Sequence, residues 1–308
     1  MSSEPTADPI ENLLYPSGKT VLMQQLQTLV LRGNNYWVGG VSHPDKILGL
    51  AYKFAKVYPL TRDERGRVYD RSLGKAGVHF LFYPTERGVV WWLLSGPGKG
   101  GLDARSKEPG PDAIQAGNAR AKGGHISFED YVLLFAHKRD ARTIQDARTG
   151  KEKQVIKDAS TWTWKLLDRA YGEVVALIRS EAFALNYGNE PIAGKPADGL
   201  RGALYYQRQR PLFGGVRAQV LQCHREARDA WTPRRKRWLQ IHTRFAEQYG
   251  DRAGQLMTLA ELTKKHLPKM RRFRVFGDPT RTLSSLVRSQ AAPMLAPQVA
   301  QAEETAAQ

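Results

Sequence analysis

The sequence predicts an α+β protein: N-terminal helices, a central antiparallel sheet of about four strands, and then a mainly helical, basic C-terminal half. Three observations carry this reading. Apolar residues recur at helical spacing over residues 19–30 and 44–58. Short β-branched and aromatic runs occupy 78–83, 89–94, 131–136 and 161–166. From Asp168 onward the pattern turns helical and the charge turns positive. The chain accordingly divides into a lead (1–17), an α+β region (18–168), a helical basic region (169–289) and a tail (290–308). Lead and tail are expected to be disordered, because they hold too little apolar surface to offset ordering. The boundary near Asp168 is a change of pattern more than a linker.

In chain order, Val21, Leu22, Leu26, Leu29 and Val30 predict a helix from Lys19 that stops at Arg32-Gly33. Tyr36-Trp37-Val38 predicts a short strand ended by Gly39-Gly40. Pro44 in a first turn, with Asp45 at the positive end of the dipole, predicts a helix start after Ser42-His43. Ile47, Leu48, Ala51, Phe54, Ala55 and Tyr58 give that helix one apolar face. Residues 61–77 are polar and glycine-bearing and read as a loop. The runs at 78–83 and 89–94 flank Pro84-Thr85-Glu86-Arg87-Gly88 and read as strands buried on both faces. Residues 95–124, rich in Gly, Pro, Lys and Asp, read as a long mobile loop.

A third strand follows at 131–136. After a charged excursion, Thr161-Trp162-Thr163-Trp164-Lys165-Leu166 alternates cleanly as a fourth, with both tryptophans and Leu166 on one face. Helices are then expected over 169–187 and after Asp198, the second ended by Pro211. Gly214-Gly215 opens another, with Val216, Val220, Ala227 and Trp231 on its apolar side and Arg217, Arg225 and Arg228 on or near another side. Pro233 is expected to break it. A further helix would carry Leu239, Ile241, Phe245 and Tyr249, and a last one would occupy 255–267. Lys269, Arg271, Arg272 and Arg274 then extend the basic surface or flank a short strand at 273–276.

Composition bounds the class. At 308 residues, with 41% hydrophobic and 25% charged residues, the chain suits one large folded domain or two ordinary ones. A single cysteine, Cys223, excludes an intramolecular disulfide and a cysteine-based zinc site, and fits a reducing cytoplasm. The N-terminus is acidic and holds two prolines, unlike a signal or transit peptide. The longest apolar runs, as at 89–94, are far too short to span a bilayer. The expected location is therefore cytoplasmic, with no membrane partner.

The formal net charge of +17 is concentrated. Residues 201–245 hold eleven Lys or Arg against only Glu226 and Asp229, a surplus of nine, which is over half of the total. Charge focused in this way argues for an anionic partner, where evenly spread charge would argue only for solubility. The plain alternative is a solvated helix with tryptophans in its core, and for Trp231, in register with Val220 and Ala227, that alternative is the stronger. It is weaker for Arg234-Arg235-Lys236-Arg237, since adjacent cations repel without a counter-charge. Glycines before a helix admit close backbone approach and a helix N-terminus favours phosphate. Arginine forks bind phosphate oxygens in pairs, and tryptophan or tyrosine rings stack on unpaired bases.

No catalytic motif survives inspection. Ser95-Gly96-Pro97-Gly98-Lys99-Gly100-Gly101 follows a strand, as a phosphate loop would, but Lys99 is followed by Gly100 and not by Ser or Thr. A flexible basic loop is the better reading; with Lys107, Arg120 and Lys122 it is placed to touch a nucleic-acid backbone. Tyr205-Tyr206 shares only a dipeptide with rolling-circle nickases. Their chemistry needs a His-hydrophobic-His pair, which the seven histidines do not provide. Tyrosine recombinases need His-x-x-Arg, also absent. Glu129 and Asp130, near His125 and His137, are adjacent and point opposite ways, so they read as a turn and not as one metal site. His79, inside an apolar strand, reads as a core histidine.

The expectation is a basic, arginine-rich protein that binds nucleic acid, DNA or RNA, without catalysis, cofactor or metal. Its contacts would be Arg208, Arg210, Arg217, Arg225, Arg228, Arg234, Arg235, Lys236, Arg237 and Trp238. Replication, transfer or gene control of a mobile genetic element is the setting such a protein would suit. One alternative is a metal-dependent nuclease using Asp103, Asp112 or Glu129. Another is a scaffold subunit of a nucleoprotein complex, whose tryptophan-rich sheet meets other protein subunits.

Overall fold

The structure, a computed structural model, describes residues 8–105, 116–136, 139–145, 152–158, 160–186, 188, 198–243 and 280–288. The architecture is mixed α+β with antiparallel sheets. The four expected strands all form, but they belong to two sheets and not one. The chain also divides differently from the change of pattern at Asp168: one unit ends at His125 and resumes at Phe273, and the other runs from Ile126 to Arg272.

In the first unit, β1 (Leu14–Pro16) precedes α1 (Lys19–Leu31), which buries Val21, Leu22, Leu26, Leu29 and Val30. Next come β2 (Tyr36–Ser42), α2 (Pro44–Ala55) and α3 (Glu64–Ser72). The hairpin β3 (Val78–Thr85) and β4 (Gly88–Ser95) follows, then the short α4 (Leu102–Arg105) and β5 (Gly117–Asn118). The sheet order is β3-β4-β2-β5. Phe80, Phe82, Val89 and Leu93 join Ile47, Ala51 and Tyr58 in one apolar cluster. Leu81, Trp92 and Leu94, of opposite parity, are buried too, so the sheet is covered on both faces as its continuous hydrophobicity predicts.

Three expectations fail here, each for a local reason. β2 does not end at Gly39-Gly40 but runs through both. A Cβ on Gly39 would lie 2.8 Å from the Trp91 carbonyl, and one on Gly40 3.2 Å from the Trp91 ring. The glycines let a central strand pass beside the rings of Trp92, at Gly39, and Trp91, at Gly40. The expected loop at 61–77 holds α3, capped by Asp63, whose carboxylate accepts from the Gly66 N–H at 2.8 Å. This helix buries no side chain, so it has no apolar period to be read. The expected disordered lead is anchored over its described part, residues 8–17. Asp8 accepts from the Ile10 N–H at 2.8 Å and from the Tyr52 hydroxyl at 2.7 Å, and Ile10 and Tyr15 are buried.

In the second unit, β6 (Ile126–Phe128) and β7 (Tyr131–Ala136) form a hairpin whose two-residue turn holds Glu129 at φ +51. The charged excursion is a second hairpin, β8 (Arg139–Gln145) with β9 (Glu152–Asp158). β10 (Thr161–Leu166) then pairs with β7, giving the order β10-β7-β6. Three helices follow: α5 (Asp168–Phe183), α6 (Gly199–Arg208) and α7 (Gly214–Thr243). Ile178, Ala182, Leu200, Leu204, Cys223, Ala227 and Trp231 form their shared core.

The chain then returns to the first unit. β11 (Thr280–Thr282) pairs antiparallel with β1, and Leu283 and Leu286 enter the cluster that holds Ile10 and Tyr15. The helix expected at 255–267, the basic residues Lys269–Arg274, the strand at 273–276 and the tail from 290 lie outside the described residues. Among the described residues, no helix is long and apolar enough to cross a membrane.

Candidate nucleic-acid interface

α7 is one helix of 30 residues and does not break at Pro233. A proline within a helix lacks the N–H that would bond the carbonyl four residues back. Here that residue is Asp229, and both it and Pro233 are exposed, so water can satisfy the freed carbonyl. The buried line Val216, Val220, Cys223, Ala227 and Trp231 fixes which side of α7 faces the core.

The first turn is held by the sheet. The Gly215 N–H donates to Thr163 Oγ1 at 2.8 Å, and a Cβ on Gly215 would strike the Trp164 carbonyl. One turn on, the Gln219 side chain accepts from the Leu166 N–H at 2.8 Å and donates to the Leu166 carbonyl at 3.2 Å. These are the two bonds that a neighbouring strand would make to the free edge of β10. The glycine-opened N-terminus expected to favour phosphate is therefore docked on β10.

The side of α7 turned from the core carries Arg225, Arg228 and Lys236 in full exposure, with Arg217 and Arg235 half-exposed beside them. Among the described residues Arg225 reaches only the neutral Gln222 amide, at 3.4 Å. Arg228 pairs with Asp229 at 3.2 Å, both being well exposed. Among the described residues Lys236 and Arg237 have no acidic neighbour within ion-pair distance. Glu226, the second acid of the segment, is engaged elsewhere: it accepts from Arg179 on α5 at 2.7 Å and from Gln222 at 2.9 Å. Those two donors, Gln222 first, hold its carboxyl below the usual range.

The expected contact residues thus separate into two groups. Arg217, Arg225, Arg228, Arg235, Lys236 and Arg237 are presented to solvent in whole or part. The others take structural positions. Arg210 donates to Gln207 Oε1 at 2.6 Å and to the Tyr131 hydroxyl at 3.3 Å. Arg208 is half-buried, and removal from water lowers its pKa. Arg234 lies 4.2 Å over the Phe183 ring and donates to the Phe183 carbonyl at 3.2 Å. Trp238 sits about five turns beyond Val220 on the same inward line and is half-buried. The Arg-Arg-Lys-Arg run is no single patch, because successive residues step about 100° around a helix. The spacing of Arg217, Arg225, Arg228, Arg235 and Lys236 is the sequence signal that finds the real strip.

The candidate chemistry outside α7 comes apart. In the loop at 96–101, the Lys99 N–H donates to the Gly74 carbonyl, Gly101 to Gly98 and Gly96 to Gly77, so these N–H groups cannot cradle a phosphate. Asp103 lies in α4 of the first unit and Glu129 in the β6–β7 turn of the second, while Asp112 and Lys107 lie outside the described residues. Among the described residues no three of His, Cys, Asp and Glu come together as a metal would need. Burial pushes the Cys223 thiol up to about 11, which makes it an inert core group at neutral pH. Tyr205 and Tyr206 are exposed on α6, their rings edge-to-face at 5.9 Å. A comparison of the chain with protein-family models, with curated proteins and with solved structures finds no match.

Proposed function

We propose that the protein binds nucleic acid through the outward face of α7, without catalysing a reaction on it. The observation that supports this most is the strip of Arg225, Arg228 and Lys236, flanked by Arg217 and Arg235, with Asp229 the acid beside it. From Arg217 to Lys236 it extends ~29 Å at 1.5 Å per residue, enough to follow several phosphates. Mutual repulsion of such cations is relieved by a polyanion, and counterion release then drives association.

The test is a titration of the protein against labelled single- and double-stranded DNA and RNA over a range of salt, with strand integrity read on a gel. Affinity is expected to fall steeply with salt and the strands to remain intact. Each phosphate contact removed from a B-DNA complex should reduce the log–log salt slope by about 0.9. The triple variant Arg225→Ala, Arg228→Ala, Lys236→Ala is therefore expected to flatten it by roughly two to three. An unchanged affinity and slope would remove α7 as the binding face.

A further inference from the structure

We infer, resting on that reading, that the partner is B-form duplex DNA and that α7 reads its sequence from the major groove. A helix that only followed phosphates would need cations alone. One exposed line of α7 is different: Ala218, Leu221, Arg225, Arg228 and Thr232, spaced three and four residues apart. Phosphate oxygens offer nothing to an exposed leucine set among cations. Base edges do: arginine grips guanine, and an apolar or threonine methyl meets the thymine methyl. The short side chains of Ala218 and Thr232, at the two ends of this line, also let the helix come close to a groove floor.

Asp229 points the same way. An exposed carboxylate is a cost on a surface that meets only phosphate, yet it lies beside this line. It accepts from Arg228 Nε at 3.2 Å. That bond steadies the guanidinium and uses none of its terminal nitrogens, which is how an arginine is held for a base edge. Arg217 and Arg235, about five turns apart, share one side of the line, where a phosphate wall of the groove would stand. An arginine on a base still displaces condensed counterions, so steep salt dependence is common to both readings. From Ala218 to Thr232 the line spans ~21 Å, or about six base pairs at 3.4 Å each.

Among the described residues of α7, the aromatic rings argue against an unpaired strand. Stacking needs an open ring face beside the cations. Trp231 is 1% exposed and Trp238 lies on the inward line, so neither ring offers a platform on the cationic strip. The exposed Tyr205 and Tyr206 belong to α6 and pack edge-to-face with each other. Duplex RNA is disfavoured by shape, because the A-form major groove is too deep and narrow for a helix, whereas the B-form groove of about 12 Å admits one.

The experiment is an affinity selection of the full chain on a pool of random-sequence duplex DNA. The enriched duplex is then compared with a scrambled duplex, with its own single strands and with the same sequence as RNA duplex. A short motif is expected to emerge, bound at least ~1,000-fold more tightly than the scrambled duplex. Leu221→Ser or Thr232→Ser, each removing an apolar group, should relax the preference at one base position by roughly five- to a hundredfold. Neither should change affinity for the scrambled duplex or its salt slope. Asp229→Ala should bind the scrambled duplex more tightly, having lost an anion, while its preference for the motif narrows. Tyr205→Ala with Tyr206→Ala should change nothing. Salt-dependent binding with no enriched motif, a preference for single strands, or specificity untouched by the Leu221, Thr232 and Asp229 variants would overturn the inference and leave the proposed function standing. Failure to bind any of the polymers would overturn both.

Discussion

Gln219 does for the free edge of β10 what another strand would do, supplying an acceptor to the Leu166 N–H and a donor to its carbonyl. Both backbone groups lose their partner if the amide is removed, and a half-buried unpaired pair costs more than the bond itself was worth. Gln219→Ala should therefore destabilise the fold by ~1–3 kcal/mol, read as a lower denaturation midpoint at unchanged m-value. Arg234 invites the opposite assumption, since it opens the basic run, yet its guanidinium is spent on Phe183. Arg234→Ala should cost about 0.5–1 kcal/mol of stability and leave the salt slope of binding unchanged.

His224 is the residue through which pH should act. Burial, with the Arg208 cation second, pushes it down to about 4, and its Nε2 is buried without a hydrogen-bond partner among the described residues. In the unfolded chain a histidine takes its proton near 6.5. Between those values the unfolded state binds more protons, so His224 makes stability fall as pH drops from about 6.5 towards 4 and contributes nothing above that window. Thermal melts across the window should show His224→Leu losing less stability than the unsubstituted chain. Equal slopes would mean that the imidazole is not the group responsible. His79, pushed down to about 3 by burial and by Arg67 and Arg71, adds to the same acid sensitivity.

At the scale of elements, legibility followed burial. α1, α2 and α5 each bury an apolar face, β3 and β4 bury nearly continuous runs, and β7 and β10 bury alternate residues such as Tyr131 with Leu133 and Trp162 with Trp164, so their patterns show in the residues. α3 buries nothing and is held by a cap and by surface pairs such as Arg62 with Asp70 at 3.1 Å, which leave no period to find. Local propensity makes the glycines of β2 look like a stop, while the reason for them is Trp91 on the neighbouring strand, whose carbonyl crowds Gly39 and whose ring crowds Gly40. Pro233 misled in the same way. The candidate interface was legible as a surplus of charge, but its face was not, since helical phase across Pro233 is known only once α7 is seen to continue. Because Pro233 and Asp229 are exposed, Pro233→Ala should restore the missing bond without a clash. A helix-interior proline costs up to ~3 kcal/mol relative to alanine, so the variant should melt higher. In β2, by contrast, Gly39→Ala should destabilise by ~1–3 kcal/mol through overpacking, and Gly40→Ala by less, since its new methyl meets a ring and not a backbone oxygen.

For the whole molecule, the consequential fact is that both ends of the described chain build one unit. β1 pairs with β11, Leu283 N donates to the Leu13 carbonyl at 2.8 Å, and Ser284 N donates to that of Glu11. Leu283 and Leu286 complete a core begun by Ile10 and Tyr15, so the cationic helix belongs to a segment that leaves this unit at His125 and returns at Phe273. Local pattern could not reveal this, because a three-residue pairing between segments more than 260 residues apart leaves no periodic trace in either. It separates two properties that a single helical basic half would have merged. Leu283 is fully buried, and truncating such a leucine typically costs about 2–5 kcal/mol. Leu283→Ala should thus lower the stability of the first unit by about that amount, with residues 8–17 becoming sensitive to protease. Nucleic-acid affinity, measured below the melting transition, should stay unchanged, because every cation of the α7 strip belongs to the other unit. A parallel loss of binding would mean that the two units act as one body, and that the strip depends on the pairing of the chain's two ends.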